Sequence, residues 1–112
     1  RAPAPVAVLV GGGTASSAEV LALTLRARAG TRSFGAPTRG LSAGNRTFPL
    51  SDGASLVLTV AATSDAAGQV LLGPLVPDEL VPAGGATRGT ASGNDAPLDA
   101  AVAWLTARDS CR

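Results

Sequence analysis

Apolar runs and glycine breaks alternate along the first third of the chain. Residues 6–10 form a continuous apolar run rich in valine, which is typical of a strand covered on both faces. The run stops at three glycines, residues 11–13, and a mixed apolar and arginine-bearing segment over residues 17–29 then predicts a helix. Gly30 follows where a helix C-cap is expected. Residues 31–35 predict a short strand, so the pattern indicates a βαβ unit with a parallel strand pair.

The middle of the chain has the pattern of a β-hairpin. Residues 46–50 and 55–63 are two apolar-rich runs, and an Asp-Gly turn separates them. Asp-Gly between two such runs favours a tight hairpin connection. A further short strand is expected around residues 69–72, followed by an extended and turn-rich segment at residues 73–78.

The last third predicts a loop and a closing helix. Residues 83–96 are rich in small and polar residues and are expected to form a flexible surface loop. Asn94 or Asp95 is placed to cap a helix over residues 97–107, whose apolar residues fall on one face.

Composition limits the chemistry that this chain can supply. Among 112 residues there is no histidine, no methionine and no tyrosine, and nine arginines account for all nine positively charged side chains, so lysine is absent too. General bases must then come from carboxylates or from the single Cys111. The length allows one domain. Because the chain lacks methionine and begins with Arg1, we expect it to be a piece of a longer protein.

Charge and hydropathy exclude two classes of partner. The formal net charge is +1, the arginines are scattered and only three residues are aromatic, so we expect no nucleic-acid binding. The apolar stretch at residues 3–10 is far shorter than the roughly 20 residues that span a bilayer, so we expect no membrane insertion.

The turn between the first strand and the first helix is the most informative segment. A hydroxyl at a sharp strand-to-helix turn meets converging backbone N–H groups and the positive end of the helix dipole, which favour a developing oxyanion. Ser16 is therefore a candidate nucleophile. The spacing Ser16-x-x-Glu19 is equally the pattern of a capping box. The glycines also suggest a phosphate cradle, but the lysine that ends a P-loop is absent.

Several segments, in order and with consistent spacing, together resemble the C-terminal half of the catalytic core of the C-terminal processing (tail-specific) serine peptidases and their tricorn-type relatives. The resemblance covers roughly residues 5–81, and residues 98–105 match the closing helix. The segments are 8–10 (Val-Leu-Val), 14–19 (Thr-Ala-Ser-Ser-Ala-Glu), 34–40 (Phe-Gly-Ala-Pro-Thr-Arg-Gly), 49–53 (Pro-Leu-Ser-Asp-Gly), 56–59 (Leu-Val-Leu-Thr) and 73–78 (Gly-Pro-Leu-Val-Pro-Asp).

The resemblance implies a fold and a set of site residues. The fold would be an α/β segment of a crotonase-like (ClpP-like) spiral core, with a βαβ unit, a β-hairpin and a C-terminal helix. Ser16 would be the nucleophile, and the backbone N–H of Ser17 one oxyanion donor; the family's other donor comes from a glycine upstream of this chain. Glu19 and Thr38 would be supporting residues, Thr38 by a side-chain to backbone bond that holds its loop.

The same resemblance separates this chain from the lysine-dependent branch. Leu41 occupies the position of the catalytic lysine, and Asn45 that of a glutamine that often follows it. The tricorn-type branch takes its base from a histidine in the preceding half of the core. It also uses a glutamate where this chain has no carboxylate, at residues 69–72.

Three nearby acids are alternatives for that missing glutamate. They are Asp65, Asp78 and Glu79, although the simpler interpretation of each is a turn or solvent-facing residue. Neither a metal nor a cofactor is needed for the implied chemistry.

Two functions remain open. The first is that of a serine peptidase fragment, a hydrolase that cleaves polypeptides through an acyl-enzyme only when an N-terminal half supplies the base, so that the 112 residues alone are inactive. The second is a non-catalytic peptide-binding or assembly module on the same scaffold. Residues 1–112 would be a single domain or the C-terminal half of a core, with uncovered apolar faces that favour a homodimer or pairing with another chain. The resemblance implies an exported or envelope-associated setting.

Overall fold

A small parallel sheet and a separate hairpin contain the strands in the described part of this chain. The structure, a computed structural model, describes residues 4–82 and 95–108. The elements are β1 (Val6–Val10), α1 (Ser17–Arg26), β2 (Thr31–Gly35), β3 (Gly44–Pro49), β4 (Ser55–Ala61), β5 (Glu79–Leu80) and α2 (Ala96–Thr106). In the described residues, β1, β2 and β5 form a three-stranded sheet in the order β1-β2-β5, and β3 pairs with β4. The expected mixed α/β class, with a βαβ unit, a hairpin and a final helix, is confirmed.

The βαβ unit has the predicted strands and a shorter helix than predicted. β1 and β2 have the expected bounds and pair in parallel, from Val6 beside Thr31 to Val10 beside Gly35. The prediction that the helix continues to residue 29 and is capped by Gly30 is wrong, since α1 ends at Arg26 and Ala27 is its C-cap. The Gly30 carbonyl instead accepts the Val6 N–H at 3.0 Å. The turn after α1 is therefore used to bring the start of β2 against β1.

The core lies on two sides of the parallel sheet. Val10 packs with Ala22 and Leu23 of α1, and Leu75 completes this buried cluster. Phe34 of β2 is fully buried and meets the Trp104 ring of α2 edge to face, with the ring centroids 5.8 Å apart. Since side chains alternate along a strand, and Gly35 rather than Phe34 is the partner of Val10, the two helices cover opposite faces.

The junction of β1 and β2 requires glycine at residue 35. Gly35 has φ +125°, and a Cβ there would lie 2.0 Å from the Val10 carbonyl oxygen. No other residue fits such an approach without moving β1, so the end of β1, where the chain turns toward Ser16, is fixed by this contact.

The third strand of the sheet differs from the prediction. The expected strand at residues 69–72 is wrong, because that segment contains only an isolated bridge between Ser64 and Val70. β5 instead adds in parallel to β2 just after the turn-rich segment. Asp78 explains the pairing, since its carboxylate accepts the Ser33 N–H at 2.8 Å and the Ser33 hydroxyl at 2.7 Å. A long-range contact that has no local pattern thus positions β5.

The hairpin is present and stands apart from the other elements. Its strands are bounded close to the prediction, and Leu50 N–H donates to the Ala54 carbonyl at 2.8 Å to close the turn. Among the described residues, β3 and β4 contact no other helix or strand. Phe48 pairs with Leu56 across the strands and Arg46 with Leu58, so these four side chains share one face of the hairpin. This face is largely apolar, and the Arg46 guanidinium lies 5.3 Å from the centre of the Phe48 ring.

The C-terminal helix has the predicted cap and nearly the predicted bounds. The Asp95 carboxylate accepts the Leu98 N–H at 3.1 Å, and α2 begins at Ala96. Most of the expected flexible loop at residues 83–96 is not tested, because residues 83–94 lie outside the described part of the chain, as does Cys111. Within residues 4–82 and 95–108, neither helix has the length and apolar character needed to cross a membrane.

Replacing Phe34 with alanine should destabilise the fold strongly. Phe34 is 0% exposed and its ring packs on Trp104, so Phe34→Ala leaves a cavity and is expected to lower the free energy of unfolding by about 3 kcal/mol. Urea unfolding followed by Trp104 fluorescence measures the loss. The matched control is Phe48→Ala in the hairpin, where the ring is only half-buried; an equal loss in both variants would contradict this account of the core.

Candidate active site

Ser16 occupies a strained position at the turn between β1 and α1. Its backbone angles are φ 54° and ψ −125°, and among the described residues it is the one non-glycine residue with positive φ. Such a conformation costs on the order of 1–3 kcal/mol and persists only where its surroundings hold it. The Ser16 residue is exposed. The strain therefore presents a serine to solvent at the point where the helix begins.

Backbone N–H groups converge beside this serine. Ser17 is the first residue of α1, and the N–H groups of Glu19 and Val20 donate to the Ser16 carbonyl at 2.9 and 3.2 Å. In the described part of the chain, the Ser17 N–H has no hydrogen-bond acceptor. A free N–H at the positive end of a helix dipole is suited to a developing negative charge.

Only the Glu19 half of the capping box is closed by a hydrogen bond. The Glu19 carboxylate accepts the Ser16 N–H at 3.0 Å, as the spacing predicts. The reciprocal pairing brings the Ser16 hydroxyl near the Glu19 N–H, but that N–H donates to the Ser16 carbonyl oxygen, and no side-chain cap hydrogen bond closes. The capping interpretation and the nucleophile interpretation are thus compatible, because the cap uses the Ser16 backbone and leaves the hydroxyl free of it.

Glu19 is a buried carboxylate that accepts four hydrogen bonds. Its side chain is 0% exposed. One oxygen, Oε1, accepts the Thr38 hydroxyl at 2.5 Å and the Gly40 N–H at 2.6 Å. The other, Oε2, accepts the Leu41 N–H at 2.8 Å in addition to the Ser16 N–H. We name this set of contacts the Glu19 clasp; it ties the turn that contains Ser16 to the loop after β2.

The hydrogen bonds of the clasp determine the charge state of Glu19. Burial by itself raises the pKa of the Glu19 carboxyl, but the bonds from Thr38 and from three backbone N–H groups outweigh burial and lower the pKa below its usual value. Glu19 is therefore ionised at neutral pH. Since both oxygens are fully engaged, it is a poor proton acceptor and acts as a structural anion.

The loop of residues 38–41 is fixed from a second side. The Thr38 hydroxyl accepts the Leu75 N–H at 2.8 Å, which is the side-chain to backbone bond expected for this residue. Gly40 has φ +78°, and a Cβ there would lie 2.8 Å from backbone atoms of Gly73 and Pro74. The Arg39 N–H donates to the Thr14 carbonyl at 2.8 Å. Glu19 and the segment around Leu75 thus hold the loop rigidly beside Ser16.

The three acids named as alternatives for the missing glutamate have other contacts. Asp65 accepts N–H groups within its own turn, at 2.9 Å from Ala67 and 2.8 Å from Gln69. Glu79 forms an exposed ion pair with Arg32 at 3.0 Å. Within residues 4–82 and 95–108, no hydrogen bond joins either acid, or Asp78, to Ser16.

Asp78 has a lowered pKa for a structural reason. Burial raises the pKa of its carboxyl, but the hydroxyl and N–H of Ser33 and the nearby Arg26 and Arg32 lower it overall. This charge belongs to the β2–β5 junction. In the part of the chain that the structure describes, no group of three His, Cys, Asp or Glu side chains is placed to hold a metal ion.

Two members of the site were not foreseen from sequence. The N–H groups of Gly40 and Leu41 donate to Glu19, and any non-proline residue has such a group, so side-chain chemistry gave no indication of them. The strain at Ser16 was also missed, since serine is not a residue that marks positive φ. The only local indication is an acid three residues after a serine. That spacing predicts a helix cap and not the hydrogen bonds from Glu19 to the loop after β2.

A family model and a peptidase of known function match the sequence of this chain. A family model described as "Peptidase family S41" matches residues 1–81. The carboxyl-terminal-processing peptidase 2, chloroplastic, of Arabidopsis thaliana is 46% identical over 57 residues, which are 51% of this chain and 11% of that protein.

Two solved structures resemble the fold described above. A lipoprotein from Streptococcus agalactiae has a TM-score of 0.70 and 33% identity, over 93% of this chain and 32% of that chain. The photosystem II D1 C-terminal processing protease has a TM-score of 0.63 and 34% identity, over 70% of this chain and 20% of that chain. This chain therefore spans about a third or less of the relatives it matches.

Removing the charge of Glu19 should destabilise the chain in a pH-dependent way. In Glu19→Gln the amide NH₂ faces donors that need an acceptor, so we expect a loss of about 3 kcal/mol at pH 7. Because the folded-state pKa is lowered, the stabilisation is present above the unfolded-state value of 4.5 and is lost as pH falls through the folded-state pKa. The difference between the two proteins in urea unfolding should thus shrink below about pH 4.5.

The control for that prediction is Asp52→Asn. Asp52 is exposed and accepts one N–H, from Ala54 at 3.0 Å, so its change is expected to cost about 0.5 kcal/mol or less. A difference between wild type and Glu19→Gln that stays constant from pH 7 to pH 3 would show that the carboxylate charge is not what stabilises the clasp.

Relieving the backbone strain at Ser16 should stabilise the fold. Glycine adopts φ 54° without a Cβ penalty, so Ser16→Gly is expected to raise the free energy of unfolding by about 1 kcal/mol. The neighbouring Ser17→Gly is the matched control, because residue 17 is already helical and gains nothing from glycine. Thermal unfolding measures both, and a Ser16→Gly variant no more stable than wild type would contradict the strain.

Proposed function

Because this chain belongs to peptidase family S41, as its resemblance to the C-terminal processing peptidases predicted, we propose that it carries the nucleophile of a serine peptidase. The observation that carries the proposal is the position of Ser16. It is an exposed serine, held in a strained conformation, directly before the N-terminus of α1 and tied to a rigid loop by Glu19. The substrate is a polypeptide.

The reaction proceeds through an acyl-enzyme. The Ser16 Oγ attacks the carbonyl carbon of the scissile peptide bond and gives its proton to a general base. The Ser17 N–H donates to the resulting oxyanion. When the tetrahedral intermediate collapses, the C–N bond breaks and the amine leaves with the proton from the base. Water then attacks the Ser16 ester, and its hydrolysis releases the acid and restores the serine hydroxyl.

The general base comes from outside these residues. The chain has no histidine and no lysine, and the Glu19 carboxylate is occupied by four hydrogen bonds. Leu41 occupies the position where the lysine-dependent branch has its base. A histidine in a preceding half of the core, as in the tricorn-type branch, would complete the site. The 112 residues alone would then be inactive.

The scaffold fits a segment of a crotonase-like spiral core. Support comes from the likeness to the Streptococcus agalactiae lipoprotein, which extends over 93% of this chain but only 32% of that chain. The remaining part of such a core, or another copy of the chain, would also cover the apolar face of the hairpin formed by Phe48, Leu56 and Leu58. A two-stranded hairpin with an open apolar face is barely stable by itself in water.

A non-catalytic peptide-binding or assembly role is the second candidate. It is favoured by Leu41 at the lysine position and by the absence of any carboxylate at residues 69–72. On that view the edges of the strands would capture extended peptides by strand addition, without cleaving them.

Ser16→Ala in the full protein should abolish peptide hydrolysis while leaving the unfolding midpoint close to that of wild type. Ser17→Ala is the matched control, because alanine keeps the backbone N–H that the mechanism uses, and it should retain most of the activity. The measurement is cleavage of a denatured protein substrate, together with covalent labelling by a fluorophosphonate probe.

The outcomes separate the two candidate functions. Labelling that disappears in Ser16→Ala and persists in Ser17→Ala identifies an activated hydroxyl at residue 16. Peptide binding with no labelling and no cleavage by wild type would instead establish the non-catalytic module.

A further inference from the structure

Leu41 lies immediately beside Ser16, although 25 positions separate them in sequence. The N–H groups of both residues donate to the same oxygen, Oε2 of Glu19, at 3.0 Å from Ser16 and 2.8 Å from Leu41. The two amide nitrogens therefore lie no further apart than these two hydrogen bonds placed end to end, about 5.8 Å. The side chain of residue 41 consequently starts next to the nucleophile.

The backbone at Leu41 is rigid, and its side chain is not part of the core. Thr38 and Gly40, just before it, are held by Glu19 and by the segment around Pro74. The Leu41 side chain itself is 58% exposed. Within the described residues, folding thus uses the N–H of residue 41, which nearly every residue type provides, and buries less than half of the residue.

We propose that Leu41 lines the subsite for a residue flanking the scissile bond and selects an apolar side chain there. This inference rests on the proposed peptidase function, with Ser16 as nucleophile. The substrate class is a polypeptide segment with an aliphatic or aromatic residue on one side of the cleaved bond.

Distance determines which substrate residue Leu41 meets. The attacked carbonyl carbon must come within about 3–3.5 Å of the Ser16 Oγ. An extended peptide advances about 3.3 Å per residue, so the residues bordering the scissile bond are the ones that lie nearest to Leu41. An apolar side chain removes its own surface and that of Leu41 from water. A charged side chain there would lose water and gain no partner from leucine.

The test compares cleavage preferences in the full protein. Wild type, Leu41→Gln and Leu21→Gln are each incubated with a random peptide library, and the residues around every cut are counted by mass spectrometry. Leu21 is the matched control, because it is an exposed leucine of nearly equal exposure, 60%, on α1. Glutamine is close to leucine in size, and thermal unfolding of all three proteins is measured in parallel.

The expected result is an apolar preference at one flanking position that falls about fivefold to tenfold in Leu41→Gln and is unchanged in Leu21→Gln, with equal unfolding midpoints. An unchanged preference in Leu41→Gln overturns the inference. A marked drop in the unfolding midpoint of Leu41→Gln alone also overturns it, because the side chain would then be packed against another part of the protein.

Failure of the proposed function gives a different pattern. If wild type makes no cuts, or makes the same cuts as Ser16→Ala, the peptidase proposal fails and the subsite falls with it. If cutting depends on Ser16 but its preference ignores residue 41, only the subsite inference fails.

Discussion

The arrangement of the site depends on one buried negative charge, the carboxylate of Glu19. It accepts hydrogen bonds from Ser16, Thr38, Gly40 and Leu41, and it has no contact with solvent. A buried carboxylate with fewer donors would cost several kcal/mol, so the chain is driven to bring all four together. Because the donors come from the turn that contains Ser16 and from the loop after β2, satisfying one charge aligns two segments that are distant in sequence.

The same interaction explains how an exposed serine is held under strain. The Ser16 N–H is bound to Glu19, and the N–H groups of Glu19 and Val20 bind the Ser16 carbonyl. Both backbone groups of the serine are thus anchored, and only its side chain is free of the cap. The strained backbone lowers the stability of the fold and positions the hydroxyl, which is typical of a site where strain serves function. The carboxylate itself is excluded from proton transfer by the bonds that give it this structural role.

Local patterns predicted the parts of the fold that local physics determines. The strands β1 and β2, the start of α1 at Ser17 and the cap at Asp95 follow from periodicity, glycine breaks and capping chemistry. The end of α1 and the position of β5 were mispredicted, because each depends on a contact between residues far apart in sequence. After α1, the Gly30 carbonyl accepts the Val6 N–H. Before β5, the Asp78 carboxylate accepts the Ser33 N–H. The Glu19 clasp was predicted in part. The hydrogen bond from Ser16 spans three residues and follows from the capping pattern, whereas those from residues 38–41 come from a segment distant in sequence.

Two features of this chain lead to the same requirement. Its hairpin places the half-buried Phe48 and the exposed Leu56 and Leu58 on one face and contacts no other helix or strand among the described residues, so the hairpin needs that face covered to be stable. Its exposed serine, Ser16, stands at the N-terminus of α1, yet the sequence contains neither histidine nor lysine. Under the proposed peptidase function, a further stretch of polypeptide would meet both needs at once, by burying the hairpin face and supplying a base. The relatives, of which this chain spans a third or less, have room for such a stretch.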